Sequence, residues 1–139
     1  MYDPVMIQPM RDELTRIGAK ELLDPQAVDQ WLASCKGTGL LVINSVCGCA
    51  AGMARPGVAL AMQHKNRPTH FATVFAGQDK DATARVRANI SQPPSSPSVA
   101  LFKDGKLIDF LPRARIEGHS AQDVAASLTA MFDKHCAAK

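Results

Sequence analysis

Two cysteines separated by a single glycine, Cys47-Gly48-Cys49, are the residues in this chain best placed to do chemistry. They directly follow a short apolar run, Leu40 to Ser45, and directly precede a stretch that reads as a helix from Ala50. The first amides of a helix have no internal partner, and the helix dipole adds partial positive charge there. A thiolate is stabilised at such a point. The ordinary cysteine pKa of roughly 8.5 commonly falls in this setting, and the thiolate is the form that attacks a disulfide. Cys47 lies nearer the strand end and should be the more exposed of the two. It is therefore assigned as nucleophile, and Cys49, in the first helical turn, as the resolving thiol.

The one-residue spacing departs from the two-residue spacing of ordinary redox motifs. A disulfide between Cys47 and Cys49 would close a small, strained ring, which Gly48 eases because glycine tolerates unusual backbone angles. Strain makes a disulfide easier to reduce. The expected protein is a weak reductant that readily completes exchange or isomerisation, with a potential less negative than the roughly −270 mV of thioredoxin. Two other readings compete. The pair could be simple core residues, or soft ligands for zinc or copper(I) in a non-catalytic metal-binding or metal-delivery domain. Of the four histidines, His64, His70, His119 and His135, none stands at a regular ligand spacing from Cys47. The expectation is no metal and no cofactor. A redox sensor that signals without turnover is a third possibility.

The elements that must hold this pair follow from the rest of the chain. At 139 residues it is expected to form one domain, 1–139, large enough for a core without disulfide staples. A net charge of +3, with no basic block, gives little reason to propose nucleic-acid binding. No apolar run approaches the roughly 20 residues of a membrane span. The first residues do not read as a secretory signal, so a cytoplasmic location is expected. Lasting structural disulfides are rare there.

Ile7, Met10, Leu14 and Ile17 mark one face of a helix over about Pro4 to Lys20. Asp24-Pro25 caps a second helix, lined by Val28, Trp31, Leu32 and Cys35. Leu40 to Ser45 does not alternate, which suits a strand covered on both faces. Ala50 to His64 reads as a helix kinked by Pro56. Thr69 to Phe75 is a strand and Asp79 to Ile90 a helix. Val99 to Lys103 and Lys106 to Leu111 form a hairpin around Asp104-Gly105. Ser120 and Asp123 resemble a capping box for the last helix. The order predicts an α/β domain with a four-stranded mixed sheet and helices on both faces. A strand running into a cysteine motif at a helix start, then a proline before a hairpin, is the arrangement of the thioredoxin fold.

In that fold the proline before the hairpin is cis and lies against the cysteines. Of Pro93, Pro94 and Pro97, Pro97 is nearest the following strand. Gly48, Ser96 and Pro97 are thus the expected substrate-contacting positions. Cys35 and Trp31 read as core. Cys136 falls where helices fray, so exposure and a regulatory role are open. Arg113 and Arg115 either attract an anionic thiol or are solvated.

Longer motifs surround the pair. Asn44-Ser45-Val46-Cys47-Gly48-Cys49-Ala50-Ala51-Gly52, with Ala54-Arg55-Pro56, resembles the motif of the bacilliredoxin family. Phe75-Ala76-Gly77-Gln78-Asp79-Lys80, Pro94-Ser95-Ser96-Pro97-Ser98, Pro112-Arg113 with Ile116-Glu117-Gly118-His119, and Phe132-Asp133 with His135-Cys136 resemble it too. The resemblance spans nearly the whole chain. It implies a thioredoxin-like fold and cytosolic thiol–disulfide exchange, with weak isomerase activity. It further implies partners: S-thiolated proteins, from which the low-molecular-weight thiol bacillithiol is removed. Cys136 matches the family's cysteine near the C-terminus. One departure is that Ala114 and Arg115 follow Pro112-Arg113 where the family pattern has a histidine.

Overall fold

A computed structural model describes residues 1–136. Ten elements follow one another: α1 (Pro4–Thr15), β1 (Lys20–Glu21), α2 (Pro25–Ser34), β2 (Thr38–Asn44), α3 (Arg55–Ala61), β3 (His70–Phe75), α4 (Lys80–Ala88), β4 (Ser98–Lys103), β5 (Lys106–Leu111) and α5 (Ala121–His135). The sheet has five strands in the order β1-β3-β2-β4-β5, rather than the expected four. The extra strand comes from the region read as the end of the first helix. That helix stops at Thr15, Gly18 turns the chain with a φ of 107°, and Lys20 and Glu21 pair in parallel with Ala72 and Thr73. A helical stripe cannot signal this, because a two-residue edge strand has no periodicity of its own.

Strand β2 is the centre of the sheet. It runs parallel to β3 and antiparallel to β4, and all seven of its residues are buried. Leu40 and Val42 face one apolar cluster with α1, α3 and α5, represented by Leu14, Val58 and Phe132. Leu41 and Ile43 face the other, with Val28 and Trp31 of α2, Cys35 directly after it, and Val86 of α4. Both faces being covered explains why this run is uniformly apolar. Cys35 is 2% exposed and is a core residue, as read. The hairpin turns at Asp104 and Gly105, both at positive φ, and Asp104 also accepts from the Gly37 amide at 2.8 Å. The capping box of Ser120 and Asp123 is present.

The helix after the cysteines differs from expectation at its start. Ala50–Ala54 form a π-helical segment that runs into α3, with the Arg55 amide reaching back to the Ala50 carbonyl. Pro56 follows at once. It has no amide to donate, and its ring would crowd the carbonyl four residues back in a regular helix. The wider π turn accommodates it, so the expected kink takes the form of a π-bulge.

Gly57 sets how closely α3 meets α5. A Cβ there would lie 2.6 Å from Val124 Cγ1 and 3.0 Å from the Ala121 carbonyl oxygen. Gly57→Ala should therefore cost about 1–3 kcal/mol through overpacking, although alanine is the better helix former. Urea titration checks this; an unchanged or higher midpoint would show that the two helices can move apart freely.

Candidate active site

The site is built where β2 ends. Beyond Asn44 the chain turns through Ser45 and Val46 and enters the helix at the cysteines, with the amides of Ala50 and Ala51 on the Cys47 carbonyl at 3.1 and 3.2 Å. The turn's buried polar groups need partners inside the protein. Arg55, only 3% exposed, supplies most of them. Its Nη1 donates to Asn44 Oδ1 at 3.1 Å and to the Ser45 carbonyl at 2.9 Å. Its Nε lies 2.9 Å from Glu13 Oε2 on α1, but the N–H does not point along that line, so the contact is an ion pair rather than a hydrogen bond. Asn44 in turn donates to the Met10 carbonyl and accepts from the Ser45 amide.

Cys47 and Cys49 are both free thiols and both half-buried, so exposure does not distinguish them. Hydrogen bonding does. Ser45 Oγ lies 3.1 Å from Cys47 Sγ and also accepts from the Cys47 amide at 3.4 Å. Partial burial pushes the Cys47 thiol up. The Ser45 hydroxyl, the amides of Ala50 and Cys49 and the Arg113 charge together outweigh it and hold the thiol below its ordinary value. Cys49 meets Arg113, whose Nη2 is 3.8 Å from its Sγ.

Arg113 also ties the proline loop to the cysteines. Its Nη1 donates to the Ser96 carbonyl at 3.0 Å, its backbone N–H to Ser95 Oγ at 3.3 Å, and its Nε to Glu117 at 3.3 Å. The Ser96–Pro97 bond is cis. Ser96 lines a cavity with Cys47, while Pro97 is buried at the foot of β4. One lone pair of the Ser96 carbonyl is thus committed to Arg113 rather than left for a partner. Gly48 is exposed, with open space where a side chain would go and no left-handed φ. In this dithiol state nothing demands glycine there.

The structure places the other residues the sequence left open. Cys136 is not frayed into solvent: it packs against the core cluster of α5, and burial raises its thiol despite the Thr38 hydroxyl. Arg113 is half-buried at the site, whereas Arg115 is exposed. Among the described residues no group of three or more His, Cys, Asp or Glu side chains is placed to hold a metal ion. The immediate neighbour of Cys49 is a guanidinium, which opposes a second cation.

The cavity beside Cys47 has a volume of about 280 Å³ and is lined by residues far apart in sequence, including Tyr2, Ser45, Gly77, Arg87 and Arg113. Sequence reasoning missed Ser45, Tyr2 and Arg87. Ser45 carried a local signal, a hydroxyl two residues before a reactive thiol. Tyr2 and Arg87 carried none.

Comparison with known proteins gives the family and the fold. The sequence model of a family described as disulphide isomerase matches residues 2–136. A bacilliredoxin of Halalkalibacterium halodurans is 50% identical over 97% of this chain and 94% of its own length. The chain belongs to the bacilliredoxin family. Another bacilliredoxin, from Koribacter versatilis, is 46% identical over 99% of this chain and 96% of its own. Among solved structures, an oxidoreductase with a thioredoxin fold superposes with a TM-score of 0.63 at 14% identity, covering 83% of this chain and 93% of the other. Fasciola hepatica thioredoxin gives 0.60 at 20% identity, covering 84% and 98%. These likenesses establish the thioredoxin fold. As a bacilliredoxin family member, the protein is a thiol–disulfide oxidoreductase.

The hydrogen bond from Ser45 makes a direct expectation. The pH profile of Cys47 alkylation by iodoacetamide should have its midpoint below the ordinary thiol value of roughly 8.5. Ser45→Ala should move that midpoint up, because the bond favours the thiolate, and so should slow alkylation at neutral pH. A midpoint unmoved by the substitution would leave the helix amides and Arg113 as the whole cause.

Proposed function

We propose that this protein removes a small thiol of the bacillithiol type from S-thiolated proteins, with Cys47 as nucleophile and Cys49 as resolving thiol. The observation that carries the reading is the lowered Cys47 thiol at a helix start, bonded to Ser45 and adjoining a cavity, with a second thiol one residue beyond Gly48. The Cys47 thiolate attacks the small-thiol sulfur of the mixed disulfide. A Cys47–small-thiol bond forms, the original S–S bond breaks, and the electron pair leaves on the protein cysteine, which takes up a proton. The Cys49 thiolate then attacks Cys47 Sγ and expels the small thiol. The enzyme is left as a disulfide, oxidised by two electrons, while the substrate protein is reduced. Alternatively a second small thiol clears Cys47 and leaves a symmetrical small-thiol disulfide.

Arg113 supports both steps. It favours the thiolate on Cys47 and adjoins the Sγ of Cys49. Ser96 lines the same cavity as Cys47, on the segment where the substrate protein would lie, while the cis Pro97 beside it is buried. The same exchange chemistry, run on a protein disulfide, is an isomerase reaction.

Intact mass spectrometry of Cys49→Ala tests the assignment. After incubation with a protein carrying bacillithiol in mixed disulfide, one small-thiol adduct should accumulate on Cys47. Glutathione and cysteine donors run in parallel show which thiol is preferred. Cys47→Ala should form no adduct. Absence of transfer from every donor, with metal co-purifying on the wild type, would support the metal-binding reading instead.

A further inference from the structure

The cavity beside Cys47 holds two guanidiniums, and they differ in what they already touch. Arg113 is committed to Glu117 and to the Ser96 carbonyl. Arg87, in the last turn of α4, lines the same cavity, yet its side chain makes no hydrogen bond or ion pair among the described residues. Its Nε is shut off from solvent and has no partner. Among the described residues no carboxylate lines the cavity. A cation at a helix C-terminus is favoured by the dipole, but that explains only the charge. Arg85, in the same last turn, lies beside Asp29 at 3.7 Å. Arg87 instead carries its charge to the wall of the nucleophile's cavity. A partly desolvated cation without a counter-ion is unfavourable until an anion arrives.

We propose that this cavity seats the small-thiol half of the mixed disulfide, and that Arg87 binds a carboxylate on it. The proposal rests on the de-thiolation reading and adds the residue that recognises the transferred half: Arg87, through a carboxylate of the small thiol. The volume of about 280 Å³ lies just below the roughly 300–1,000 Å³ of common small-ligand sites, which suits a small thiol better than a protein loop. Seating this half has a chemical consequence. It brings the small thiol's sulfur, not the protein's, against Cys47 Sγ. The new bond then forms to the small thiol and the protein cysteine leaves with the electron pair. Attack in the opposite sense would cross-link enzyme to substrate protein. Arg87 thus helps decide which half is transferred.

Two donors of near-identical shape separate the effect of charge. A reporter peptide is prepared as its mixed disulfide with mercaptopropionate and, separately, with mercaptopropionamide. Adduct formation on Cys47 is timed by mass spectrometry in the Cys49→Ala background, and each rate is divided by that of uncatalysed exchange. The carboxylate donor should be preferred. Arg87→Gln should lower that preference about tenfold, the scale of one charge-assisted hydrogen bond. Arg87→Lys should restore part of it, since it keeps the charge but not the planar fork. An unchanged preference in Arg87→Gln, or an equal loss with both donors, would overturn the role of Arg87 while leaving de-thiolation standing. No adduct from either donor, nor from the protein donors above, would remove the de-thiolation reading itself and this proposal with it.

Discussion

Arg55 is buried against the start of the turn that carries the cysteines, where its guanidinium donates to the Asn44 side chain and to the Ser45 carbonyl. The last residues of β2 need such a partner. The strand is covered on both faces, so the chain leaving it brings buried carbonyl and amide groups that water cannot reach. A buried charge left unpaired would itself be costly, and Glu13 on α1 offsets it. The result couples three elements, α1, β2 and α3, around one side chain. With Asn44 and Ser45 held, the Ser45 hydroxyl stands 3.1 Å from the Cys47 sulfur.

From that point the site assembles in one direction. Helix amides and the Ser45 hydroxyl stabilise the thiolate from the chain's own turn. Arg113 arrives from the far side of the sheet, beyond β5, and links the cysteines to the loop holding the cis Pro97. It thereby brings together three segments that are distant in sequence. Arg87 approaches from α4, on the other face of the sheet from α3, and completes a cavity whose charged lining is wholly positive. The charge at the site thus comes from side chains distant in sequence, while the Cys47 sulfur comes from just beyond the middle strand's end.

Much of this was legible in the chain itself. The apolar, non-alternating Leu40 to Ile43 announced a doubly covered strand, and the Asp104-Gly105 pair announced the hairpin. Other features were not legible, for stated reasons. The edge strand Lys20–Glu21 is too short to show a period and exists only because β3 offers it partners. The π-helical segment before Pro56 is one of several ways a helix can absorb a proline. Cys136 looked frayed from its place near the end of the sequence, but its packing depends on the sheet that α5 covers.

The sequence by itself singled out the Cys47–Cys49 pair and determined its place between a strand and a helix and the family to which the longer motifs belong. These are local properties, because a thiol's partners at a helix start lie within a few residues of it. Tertiary structure decided which charges surround the pair. Arg113 is 64 residues from Cys49 along the chain, and Arg87 shares no motif with either cysteine. Coulomb interactions depend on distance in space and on burial, neither of which is written in the spacing of residues. Only the folded sheet, with helices closed over both faces, brought Arg113 to the sulfurs and Arg87 to the cavity beside them.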